Sequence, residues 1–381
     1  MRLDLFSYDA GAGFSQPLPV ERPTFLLVFG ATSLSEDAAF WARLGDAFPG
    51  VPLAGCSTAG EVLGTRVTDG GAVIAAIRLR AGSARVETVR VAGTGESYGA
   101  GATLAKRLSS PDLRGVLVFS DGRVVNGSSL VRGLDDHLPA GTVVTGGLAG
   151  DGKRFERTWV VGEAGPQSGT IAAVGLFGSS LSLFHGSQGG WTAFGPERLV
   201  TAAEGSVLYR LDDRPALEVY KLYLGDKAKE LPASALRFPL SVRADKDDRR
   251  SVVRTILGVD ERRQSMTFAG DVPQGSLVRL MQASFDRLLD GAAQASQDAA
   301  RAWTSGDALC LVVSCVGRRL VLGERVEEEL ESVRGHLPQG VGMIGFYSYG
   351  EISPLAPGEC GLHNQTMTLT ILVEELAPAV S

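Results

Sequence analysis

Two tyrosines (Tyr347, Tyr349), a glutamate (Glu351), a histidine (His363) and an asparagine (Asn364) follow one another closely in the C-terminal quarter of this chain, beside glycines. The apolar run Val341 to Phe346 just before them reads as a short buried strand. Phenols, a carboxylate and an imidazole at the end of a strand are the furniture of a pocket rim, and glycine lets the backbone approach a guest closely. Arg318 and Arg319 follow a second apolar strand, Leu309 to Ser314, at the edge where open sheets collect ligands. Either guanidinium can grip a carboxylate with two parallel hydrogen bonds. The alternatives are structural: His363 and Asn364 holding the turn, and the arginines pairing with the acidic run Glu327-Glu328-Glu329. His185 ends an apolar strand. His137 and His336 each precede a Leu-Pro at a helix end, where the helix dipole accounts for them. Cys56 lies in a Gly-Cys-Ser turn, but a reactive thiolate needs a nearby base, and no histidine lies in that part of the chain.

The elements that position these groups come in three copies. Pro49 to Glu61, Pro139 to Asp151 and Pro338 to Glu351 each run from a turn through a short strand into a Gly-rich polar turn that closes on a carboxylate. Each follows an earlier apolar strand: Phe25 to Gly30, Gly115 to Ser120, Leu309 to Ser314. Gly30 and Ser120, Pro49 and Pro139, and Glu61 and Asp151 all stand 90 residues apart. We read three units of strand, helix, strand, Gly-turn, strand. Glu61, Asp151 and Glu351 then occupy one repeat position, which argues for a shared structural task such as capping turn amides.

The 381 residues suit two cores better than one. A net charge of -6 spread over both halves argues against nucleic-acid binding. No apolar leader or membrane-spanning tract is visible, which reads as a cytoplasmic protein. Four scattered cysteines fit free thiols. The pattern predicts helices over Leu34 to Phe48, Tyr98 to Leu108, Pro215 to Leu224, Ser276 to Trp303 and Gly323 to His336, an antiparallel pair from Trp159–Val161 and Ile171–Phe177, and a solvated loop from Arg243 to Arg254. The fold class expected is α/β: two domains of mixed sheet with packed helices, built from the repeated unit. The boundaries are residues 1–22 as an N-terminal segment, 23–188 and 189–376 as domains, and 377–381 as a tail.

With these motifs in view the chain resembles the FIST family of signal-transduction sensors. Gly55-Cys56-Ser57-Thr58-Ala59-Gly60-Glu61 looks like its N-terminal motif. Ser187 to Trp191, Val200 to Gly205 and Pro215-Ala216-Leu217 look like the junction. Ser314 to Arg319, Gly345 to Pro354 and Leu362 to Thr366 are similar to its C-terminal signature. The resemblance implies a FIST N-terminal domain over 23–188 and a FIST C-terminal domain over 189–376. It implies a sensor of a small molecule that reports to a separate histidine kinase or cyclic-dinucleotide enzyme. The C-terminal motif looks like the haem-binding, nitric oxide sensing branch. Haem b would be held non-covalently, since no Cys-x-x-Cys-His occurs. His363 is then the axial metal ligand of choice and His185 the second, with Arg318, Arg319, Tyr347, Tyr349, Glu351 and Asn364 completing a ligand site. An amino-acid or similar metabolite sensor without haem is the runner-up. A thiol hydrolase at Cys56, a transferase using Glu351 and His363, and a protein adaptor stand behind it. No membrane or nucleic-acid partner is expected, and the oligomeric state is open, a homo-oligomer included.

Overall fold

A computed structural model describes residues 1–231, 233–248, 250–301, 303, 307–356 and 358–375; the expected tail 377–381 lies outside them. The protein is a mixed α/β structure, and three of its sheets share one plan. Each has an opening strand (Phe25–Gly30, Leu113–Ser120, Ala308–Cys315). A helix (Ala38–Ala47, Gly127–Asp135, Val326–Arg334) leads from it to a parallel second strand (Leu53–Ser57, Val143–Leu148, Val341–Ser348). A return strand (Ala72–Arg78, Thr170–Phe177, Met367–Glu374) lies antiparallel on the other side of the opening strand. Outside it lies a lead strand from earlier in the chain (Arg2–Asp9, Ser83–Arg90, Leu181–Gln188). The order second, opening, return, lead recurs three times.

What the sequence does not announce is that the repeats trade hairpins. After its Gly-turn each repeat leaves its own sheet. Glu61–Leu63 and Arg66–Thr68 extend the third sheet, through Phe346 opposite Glu61. Gly350–Ala356 and Glu359–His363 extend the second, through Gly147 opposite Glu351. Val160–Gly162 and Gly165–Gln167 extend the first, through Val160 opposite Cys56. Repeat one gives to three, three to two, and two to one, so the ring closes. The pairing expected between Trp159–Val161 and Ile171–Phe177 is therefore corrected: those strands belong to different sheets.

Aromatic packing fills the ring's centre. Phe29 stacks on Phe346 at 4.8 Å and meets Phe119 edge-on at 5.3 Å. The register shows how three repeats share one space. Phe29 lies beside Cys56, Phe119 beside Gly147 and Val313 beside Phe346, so two pairs set a phenylalanine against a small residue and the third reverses the order. Glycine recurs at Gly55, Gly146 and Gly345 because each crosses its opening strand at close quarters. A Cβ there would lie 1.8, 2.0 and 1.7 Å from the carbonyl oxygens of Val28, Val118 and Val312.

Between the lead and opening strands of the third repeat, residues 192–282 build an eight-stranded sheet of their own. Part of the expected Ser276–Trp303 helix lies here as strand Leu277–Gln282, and the helix starts at Phe285, with Ser284 capping the Arg287 amide. The apolar spacing Leu277, Val278, Leu280, Met281 suits either form, and pairing on both sides decides for strand. Likewise Val252–Arg254, expected in a solvated loop, is a strand, and Arg254 is buried where it donates to the Leu362 carbonyl at 2.8 Å. Among the described residues no helix is long and apolar enough to cross a membrane.

Candidate functional site

A cleft of about 670 Å³ opens where this inserted sheet meets the ring. Two histidines line it from different sheets. His185 comes from the lead strand of the third sheet, and His363 from the hairpin that repeat three lends to the second. His363 Nε2–H donates to the Ser353 carbonyl at 3.1 Å, which fixes the tautomer and leaves Nδ1 with a lone pair. Burial, with Arg254 close by, pushes the His363 pKa down to about 4. Burial lowers His185 as well. Both imidazoles are therefore neutral near pH 7 and able to act as ligands or acceptors. Trp191, Val252, Met281 and Leu355 give the cleft apolar wall. Its cations are Arg243, paired with Glu197 at 2.6 Å, and Arg250, paired with Glu359 at 2.6 Å.

Two family models cover most of the chain: the FIST N domain matches residues 24–214 and the FIST C domain residues 216–354. The chain belongs to the FIST family. FIST domains are sensor domains of signal transduction, which is consistent with a small-molecule ligand. Among curated proteins none matches. Of solved structures, a chorismatase is similar at 11% identity over 98% of both chains with a TM-score of 0.35. A cyanuric acid hydrolase from A. caulinodans is similar at 12% identity over 78% of this chain and 100% of that one, with a TM-score of 0.18. Likeness this low carries no argument about what the FIST protein does.

Of the residues expected to meet a ligand, only His185 and His363 line the cleft; the others hold the ring together. Arg318 is fully buried, and its guanidinium is saturated by Glu329 (2.7 Å from Nε), the Leu288 carbonyl (2.7 Å) and the Gly189 carbonyl. Glu329 in turn accepts from Ser314 at 3.0 Å and from the Tyr347 hydroxyl at 2.9 Å. The acidic helix thus does claim Arg318, through Glu329. Arg319 grips Asp69 of repeat one with two hydrogen bonds, 2.8 and 2.6 Å, and lies over the Tyr347 ring. Tyr349 stacks on Phe155 at 4.3 Å and donates to Asp151. Asn364 Nδ2 donates to the His363 carbonyl at 2.9 Å. Glu351 is buried, with both oxygens engaged by Ser348 and Thr366. Arg319 and Tyr349 find their partners across a repeat junction, and Arg318, Tyr347, Glu351 and Asn364 find theirs mostly within the third repeat, so none is left over for a guest in the cleft.

A metal at His363 would need to bring its own ligands. Among the described residues no cluster of three or more His, Cys, Asp or Glu side chains gathers as a metal site. One free imidazole lone pair in a partly apolar cleft fits a non-covalent haem, which carries four of its own nitrogen ligands. Cys56 is buried and its thiol is pushed well above the ordinary value by burial alone, which removes the thiolate that a hydrolase would need. His137 and His336 donate from Nδ1 to helix carbonyls of Gly133 and Ser332, the structural task the sequence suggests.

The equivalence of the three closing carboxylates holds for two of them. Glu61 and Glu351 each accept from a hydroxyl three residues back, Thr58 and Ser348. Asp151 is one residue out of step. Its carboxylate takes the amides of Phe155, Glu156 and Arg157, each at 2.8 Å, and ties down the loop that follows. Burial works against that charge, but the amides, led by Arg157, hold its pKa below the ordinary value. The sequence reading also missed Arg154 and Arg157, which this loop carries.

Proposed function

We propose that this FIST protein senses a small molecule in the cleft lined by His185 and His363, with haem b as the bound group and nitric oxide as the signal, and that it acts on a separate histidine kinase or cyclic-dinucleotide enzyme. The observation that supports this is a pair of imidazoles, held neutral by burial, lining one cleft. His363 through Nδ1 is the group that would hold the iron, and His185 stands ready as a second imidazole. Haem supplies the iron that takes the gas. The cleft is bounded by two sheets of the ring and by the inserted sheet, so a guest touches all three. Occupancy changes how they sit together, and a partner reads that surface.

Protein purified from cells supplied with haem should show a Soret band, and His363→Ala should abolish it. A colourless wild-type protein after haem reconstitution would remove haem. A second reading then rests on Arg243 and Arg250, the cleft's own cations. A metabolite carboxylate would displace their exposed partners Glu197 and Glu359, whereas the expected Arg318 is buried and Arg319 lies outside the cleft. Calorimetry with amino acids tests it, and a silent titration would overturn that version too.

A further inference from the structure

The Gly-turn of the first repeat ends on a carboxylate with one oxygen to spare. Glu61 is 1% exposed, and Oε1 accepts from the Thr58 hydroxyl. Oε2, which is equally buried, meets no donor in good hydrogen-bond geometry among the described residues, though the Gly71 amide stands close enough to lower the carboxyl's pKa. In the third repeat the matching Oε2 of Glu351 accepts from the Thr366 amide at 3.1 Å and the Thr366 hydroxyl at 2.9 Å. The chain fills one copy itself, and in the other Glu61 lines a cavity of about 510 Å³. That cavity lies between the Thr58–Glu61 turn, Ala31–Ser33 and the loop tied down by Asp151. Arg154 stands in its wall, exposed, with no ion pair among the described residues and a single weak hydrogen bond to the Thr32 hydroxyl at 3.3 Å. Its neighbours are spoken for: Arg157 pairs with Glu36 at 2.6 Å, and Asp69 with Arg319. A buried acceptor without a donor is costly, and a guest that donates to it would relieve that cost.

We propose that this cavity is a second ligand site, separate from the cleft, for a small hydroxy acid: its hydroxyl donates to Glu61 Oε2 as Thr366 does to Glu351, and its acid group pairs with Arg154. The third repeat argues for a neutral donor over an ammonium, because Ser348 and Thr366 satisfy Glu351 without a cation in contact. Burial also raises the Glu61 pKa to about 7, so the site carries only part of a negative charge at neutral pH.

The test is isothermal titration of D-glycerate into the full-length protein. Saturable binding is expected, at least tenfold weaker in Glu61→Gln, where an amide donor would face the ligand's own donor. Arg154→Ala should weaken it by a similar factor. Arg154 is exposed, so that variant keeps its fold and its result stands even if Glu61→Gln alters the turn. No heat with D-glycerate, binding of glycine in its place, or affinity unchanged in both variants would overturn the proposal.

Discussion

Glu61 offers a measurement of burial with its sign fixed in advance. Water-starved surroundings raise its pKa from the ordinary 4.5 to about 7, more than the Thr58 hydrogen bond lowers it. Between those two values the folded protein holds a proton that the unfolded chain has already released. Folding stability contributed by this group is therefore complete below pH 4.5, falls as the pH rises toward 7, and is flat above that. At about 1.4 kcal/mol for each tenfold change in proton affinity, the loss amounts to about 3 kcal/mol. Glu61→Gln removes the titration while keeping Oε1 as the acceptor for Thr58. Urea denaturation of both proteins, followed by circular dichroism at pH 5 and pH 8, isolates the effect, because every other titrating group is common to the two. The variant should gain about 2.5 kcal/mol on the wild type between those pH values. Equal pH slopes would mean that the carboxyl is hydrated in solution, and the reasoning about the vacant oxygen would fall with it.

The buried and half-buried arginines should part company. Arg318→Ala strands Glu329 in the core and should cost about 3–5 kcal/mol in urea denaturation, whereas Arg319→Ala, whose partner Asp69 is 69% exposed, should cost about 1 kcal/mol or less. Residues 1–179 expressed alone should fail to give a dispersed amide spectrum, because the second sheet lacks its Gly350–His363 hairpin; co-expression with residues 180–375 should restore it. At the ring's centre, Gly147→Ala puts a Cβ 2.7 Å from Val313 Cγ1 and should cost about 1–3 kcal/mol. Adding Val313→Ala should recover part of that, and thermal melts that show no recovery would refute the size compensation between the repeats.

The three repeats were legible because close crossings demand glycine. Gly55, Gly146 and Gly345 lie where the second strand passes its neighbour, and no other residue fits, so the spacing survives in the sequence. The destination of each hairpin was not legible. A short strand with an apolar edge states that it pairs but not with which sheet, and the exchange is decided by which edge lies nearest once the ring forms. The offset of 90 misled by one residue for the same reason. Phe29 pairs with Cys56 and Phe119 with Gly147, so the second copy carries one more residue between its parallel strands, and Asp151 falls a step ahead of the true counterpart of Glu61. Residue types alone drew Arg318, Tyr347 and Glu351 toward a ligand, because a polar group that bonds inside the fold and one that greets a guest look alike until their partners are known. Glu61 and Glu351 separate the two cases within one chain. The same residue in the same turn is closed by Thr366 in one copy and lines a cavity in the other, so it is the surroundings, not the carboxylate, that separate a structural group from a candidate site.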